Sequence, residues 1–222
     1  MDLVWDSIKT KIDEEDLSPF DMYKLKQKLT TLMLCFNGLN LIYKTIYDNT
    51  ATTRVSEEEQ EECKRSAEAQ IFSMLPDINS LLIRNVQGCF KKYNVDDMLT
   101  TFNLFLLSFL QFALDAQVEL EKDKQYVLLS LPSALTQELE ISERLSSTGM
   151  AYQSGFFPIL VSSLEQIIKL INDEQYVSIF DINKSITLKL LLSRLLSPNC
   201  SDADFLSIIK FFIAYGTKLK VN

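Results

Sequence analysis

Leucine, isoleucine and phenylalanine recur every three or four residues along nearly the whole of this chain, and that spacing constrains the fold more than any other feature. The clearest stretch sets Leu99, Phe102, Leu106, Phe109, Leu110, Ala113, Leu114 and Val118 on one helical period. Side chains three and four apart share a side of an α-helix, whereas a half-buried strand needs alternation at every second position. The period predicts an all-α protein of about nine helices, packed as an irregular bundle or as a short HEAT-like or armadillo-like superhelix of helix pairs. With 222 residues, 47% of them hydrophobic, there is material for one continuous core. A single domain over 1–222 is expected, with a candidate subdomain boundary at 123–155, where the helix signals are weakest.

Helix starts and stops are legible from side-chain chemistry. The first helix is expected over about Asp2 to Glu15, and Ser18 with Pro19 and Asp21 reads as the cap and first turn of a second that runs to Tyr47 unless Gly38 bends it. Ser56-Glu57-Glu58-Glu59 is a capping box. The helix it opens is expected to stop before Pro76, after which Asp77 caps another that carries Ile78, Leu81, Leu82, Val86, Phe90 and Tyr93. The most apolar helix spans about Val95 to Lys122, and a weaker one Ser133 to Ser147. Three more are expected at Ile159–Ile171, from Asp181 to Pro198, and from the second capping box, Ser201-Asp202-Ala203-Asp204, to Gly216. Residues 176–180 read as a loop or short helical turn.

The stretch Met98 to Leu114 has no charged residue, which is near the lower limit for a membrane span. Thr100, Thr101, Asn103, Ser108 and Gln111 lie within it, and Asp97 and Asp115 close it. A helix buried within a helical protein is the expectation.

Catalytic patterns are scarce. The chain has no histidine, the commonest general base near neutral pH and the commonest metal ligand, so mechanisms that rest on Ser-His, Cys-His or His-metal arrangements are excluded. The five glycines are isolated, unlike those of phosphate-binding loops. Asp96-Asp97-Met98-Leu99-Thr100 begins like a magnesium-binding aspartate motif but lacks its closing acid. Cys35, Cys63, Cys89 and Cys200 lie too far apart in sequence for a paired metal or redox motif and are expected to be reduced, buried and inert; Cys63 beside Lys64 and Arg65 is the one thiol whose neighbours favour a thiolate. No enzyme, no cofactor and no metal site is expected.

Lys plus Arg is 22 against 30 for Asp plus Glu, a formal charge of −8. Phosphate neutralisation needs the opposite balance, so nucleic acid is not an expected partner. Met1-Asp2-Leu3-Val4-Trp5-Asp6 has no basic stretch followed by an apolar run, and the protein is expected to be intracellular, cytoplasmic or nuclear, and not secreted. These features together suggest a non-catalytic adaptor or scaffold subunit of a multiprotein complex that holds a partner's basic or amphipathic helical segment in a surface groove. The candidate partner-binding residues are Trp5, Glu57, Glu58, Glu61 and Glu62. Trp5, the only tryptophan, is a contact anchor if exposed and core if it folds back as a staple; the acidic run is also what a helix N-terminus prefers electrostatically. The alternative is a carrier of an apolar, lipid-like or isoprenoid-like ligand in a pocket lined by Phe102, Phe105, Phe109 and Phe112.

Overall fold

The computed structural model describes residues 2–12, 18–47, 55–86, 96–117, 132, 135–137, 139–140, 156–170 and 186–219. Among the described residues there is no strand, and the helices number eight. They are α1 (Asp2–Ile12), α2 (Pro19–Tyr47), α3 (Glu57–Val86), α4 (Asp96–Asp115), α5 (described at 132, 135–137 and 139–140), α6 (Phe156–Leu170), α7 (186–195) and α8 (Asp202–Leu219). The chain divides into two compact units, Met1–Leu81 with Phe90–Glu119 and Leu82–Cys89 with Leu120–Asn222. The 123–155 stretch, with the helix expected there, falls mostly outside the described residues, as do Tyr176 to Phe180 and Asp181.

The count falls below nine because α3 runs straight through Pro76, where the sequence suggests a stop and a restart. Proline lacks the N–H that would donate to the Phe72 carbonyl, a loss of about 3 kcal/mol in a helix interior. On either side of it Ile71, Met74, Leu75 and Ile78 are buried, and each such side chain contributes about 1.5–3 kcal/mol. A continuous helix keeps all four in the core, and Pro76 itself faces solvent.

In the first unit, α2 and α3 are antiparallel. The Tyr43 hydroxyl donates to the Cys63 carbonyl at 2.9 Å and the Tyr47 hydroxyl to that of Gln60 at 3.3 Å. Helices α2 and α4 are parallel, since Phe36 packs on Phe105 and Phe109, Tyr43 on Phe112, and Lys44 pairs with Asp115 at 3.4 Å. Helix α1 docks through Ile8, through Lys28, which donates to the Ser7 hydroxyl, and through Trp5. Burial of Tyr43, helped by nearby Cys63 and Tyr47, pushes its phenol above its ordinary pKa, so it remains a hydrogen-bond donor at neutral pH. The uncharged stretch of α4 is interior, with Phe102, Phe105, Leu106, Phe109, Leu110 and Phe112 all buried.

In the second unit, α6 packs on α8, bringing Leu160, Val161, Leu164 and Ile167 to the core shared with Ile208 and Phe211. Thr136 and Thr187 share a buried hydroxyl–hydroxyl bond of 2.8 Å that ties α5 to α7. Arg194 of α7 donates twice to Asp204 of α8, at 3.0 Å from Nε and 2.8 Å from Nη2.

The capping boxes form as the sequence indicates. Asp21 N–H reaches Ser18 Oγ at 3.1 Å, Glu59 N–H reaches Ser56 Oγ at 3.3 Å, and Asp204 N–H reaches Ser201 Oγ at 3.2 Å. Two ends differ from expectation. Helix α4 stops at Asp115 rather than near Lys122, because Gln117 takes a left-handed backbone conformation (φ 52°) and its N–H turns back to the Leu114 carbonyl at 3.0 Å, the conformation that ends many helices. Helix α8 passes Gly216 and reaches Leu219; the stacked rings of Phe211 and Tyr215, 6.2 Å apart, sit on the turn before the glycine. Gly38 does not interrupt α2.

Candidate functional site

Trp5 takes the core placement. It is 3% exposed, its indole stacks on Phe105 at 5.7 Å, and its Nε1–H donates to Asp77 Oδ2 at 3.1 Å. Of the two placements open to it this is the core one: the indole nitrogen is satisfied within the first unit and its rings are out of water. Trp5 lies three residues before Ile8 and shares its buried side of α1, whereas Leu3 is exposed.

Glu57, Glu58, Glu61 and Glu62 are all exposed on the first two turns of α3. Glu59, between them, is engaged in the cap: its Oε2 accepts from the Ser56 N–H at 3.0 Å and the Ser56 hydroxyl at 2.7 Å. Those hydrogen bonds hold its carboxyl below the ordinary carboxylate range. A depressed folded-state value means the contribution is complete above the unfolded pKa and is lost as pH falls through the folded one.

Phe102, Phe105, Phe109 and Phe112 pack ring against ring. Phe36 lies 6.0, 5.5 and 5.3 Å from Phe105, Phe109 and Phe112, Tyr43 lies 5.3 Å from Phe112, and Phe102 lies 6.1 Å from Phe105. Tilted and edge-to-face rings at these separations are ordinary aromatic core.

The cysteines differ from expectation in one respect. Cys35, Cys63 and Cys200 are free thiols, but Cys35 is exposed and the other two are only partly buried. Burial, with Asp204 nearby, pushes the Cys200 thiol above its ordinary value. Among the described residues no group of three acidic, cysteine or histidine side chains is placed to hold a metal ion, and no helix is long and apolar enough to cross a membrane.

Two outward faces stand out. On α2, opposite the buried Leu25, Leu29, Leu32, Phe36 and Tyr43, the positions 20, 24, 27, 31, 34, 38, 41 and 45 are all exposed, and they follow one another at steps of three and four. This seam carries Phe20, Leu34 and Leu41, with Tyr23 and Ile42 alongside, and no charge from Gln27 to Thr45. On α8, Phe205, Leu206 and Ile213 are 52%, 54% and 63% exposed, opposite Ile208, Phe211 and Ala214. Leu196, in the turn that follows α7, is 83% exposed. Neither face was separable in the sequence, because apolar residues run round most of both helices and period alone does not say which side meets water. Comparison with protein-family models, with curated proteins and with solved structures finds no match for this chain.

Proposed function

We propose that this chain is a non-catalytic interaction subunit, an α-helical scaffold that holds an amphipathic helix of another protein against the outer side of α8. The observation that carries this reading is the exposure of Phe205, Leu206 and Ile213 on a helix whose other side is already committed to its own core. A helix apolar on both sides belongs inside an assembly. Each exposed apolar side chain gains about 25 cal/mol per Å² when a partner covers it. A partner helix with apolar anchors at i, i+3, i+4 and i+7 matches such a face. The net charge of −8 favours lysine or arginine on the partner's polar side. Free thiols at Cys35, Cys63 and Cys200 support a reducing, intracellular setting.

The test is purification of tagged full-length chain from its source cells beside a variant carrying Leu206→Glu and Ile213→Glu. A single protein recovered in fixed ratio with the unaltered chain, and at least tenfold depleted with the variant, is the expected result. Both positions are exposed, so the variant should keep its folding stability to within about 0.5 kcal/mol, measured by thermal melting. Equal recovery with both chains, or none with either, would overturn the assignment to α8.

A further inference from the structure

We infer that α1 is a strap that opens on its own, carrying Trp5 away from Phe105 while the rest of the first unit stays folded. The α8 face has no part in this opening.

Helix α1 is 11 residues long, below the length of about 12–15 residues at which an isolated helix begins to hold in water. Its sequence adds further opposition. Asp13, Glu14, Glu15 and Asp16 follow Ile12 directly, four like charges at the end of a helix where the macrodipole is already negative. What forms α1 is therefore its seat, and the seat holds it at few points. Among its described side chains only Trp5 and Ile8 are buried, while Leu3, Asp6 and Thr10 are exposed. Two polar contacts add to these, from the Trp5 indole N–H to Asp77 Oδ2 at 3.1 Å and from the Lys28 ammonium to the Ser7 hydroxyl. By comparison α2 buries Leu25, Leu29, Leu32, Phe36 and Tyr43.

The seat, in turn, keeps its own contacts without the strap. With Trp5 gone, Phe105 retains Phe36 at 6.0 Å, Phe102 at 6.1 Å and Phe109 at 6.4 Å. The hydrogen bonds of Tyr43 and Tyr47 that join α2 to α3 involve no residue of α1. Opening thus breaks the contacts of one short helix and leaves the ring cluster between α2 and α4 whole, which is the condition for a local opening of lower free energy than unfolding of the unit. It uncovers the side of the Phe105 ring on which Trp5 stacks, a ring wholly buried in the closed form, and frees the Asp77 carboxylate from the indole. Trp5 and Ile8 are exposed on the released segment. The closed form hides these groups and the open form presents them, so α1 is a switch between two surfaces of the first unit.

Hydrogen exchange of the ¹⁵N-labelled full chain, read by NMR at rising urea below the unfolding transition, tests this. The chain has one tryptophan, so the buried Trp5 indole N–H gives a single resonance that exchanges only when its bond to Asp77 breaks. The indole and the amides of α1 should be protected about a hundredfold less than the amides of Phe105 to Leu110 in α4. Their exchange should depend weakly on urea, because opening exposes little surface, whereas unfolding of the whole unit exposes much and overtakes it as urea rises. Ile71→Val, a small loss in the core of α3, should lower the protection of the α4 amides about threefold or more and leave that of α1 and Trp5 unchanged, since Ile71 stays buried whether the strap is open or closed. Equal protection of the indole and the α4 amides, with the same urea dependence, would overturn the inference. An equal loss at both places on Ile71→Val would overturn it as well, by showing that α1 leaves only when the unit unfolds.

Discussion

Truncating Phe36 to alanine is expected to destabilise the first unit by about 3–5 kcal/mol, the range for removal of a fully buried aromatic ring. Phe36 is inaccessible to solvent, lies at the centre of the rings of Phe105, Phe109 and Phe112, and meets Phe109 edge to face at 89°. Its neighbours are large and held by their own helices, so the space it leaves closes poorly and the cavity contribution is added to the lost transfer energy. Against a typical total of about 5–15 kcal/mol, that loss is large enough to unfold the unit under mild conditions. Leu34→Ala, two residues away on the outward seam, should change stability by no more than about 0.5 kcal/mol. Urea titration followed by the fluorescence of Trp5, stacked on Phe105, measures both. Equal effects at the two positions would mean that α2 is rotated from the orientation described.

The second large effect is expected in the other unit. Arg194→Met should cost about 3–5 kcal/mol, the usual consequence of leaving one member of a buried ion pair without its partner. The Asp204 side chain is 1% exposed and that of Arg194 16%, so water cannot replace the two lost hydrogen bonds. The guanidinium also sits over the Phe157 ring at 5.3 Å, a contact that holds α6 against α7. Adding Asp204→Asn to Arg194→Met should recover part of the loss, because no uncompensated charge then remains inside. Thermal melting monitored by circular dichroism reads the series. A double variant no more stable than Arg194→Met alone would show that the carboxylate acts mainly as the α8 cap with Ser201.

These two cores show where the sequence is informative. Ser18, Ser56 and Ser201 mark helix starts that form as their chemistry requires, because capping depends on residues within one turn. Pro76 misleads because a local rule meets the burial of Ile71, Met74, Leu75 and Ile78, a property of the tertiary fold. Gln117 ends α4 without a glycine to announce it. The same limit applies to the candidate surfaces. In α2 and α8 apolar residues on the outward side resemble those facing inward, and only packing against α4 and α6 distinguishes Phe36 from Leu34, or Ile208 from Leu206. The acidic opening of α3 was legible as an exposed stretch, while its position beside the end of α2 depends on the Tyr43 and Tyr47 hydrogen bonds.

The central claim is that this is an interaction subunit and that α8 is its partner face. The most direct measurement places a photoreactive benzophenone side chain at position 213 of the full chain in its source cells, with the same group at the exposed Arg65 position as control. One discrete adduct to another protein from position 213, absent from position 65, is the result expected of a face held against a partner. No adduct at 213, or the same diffuse products from both positions, would contradict it.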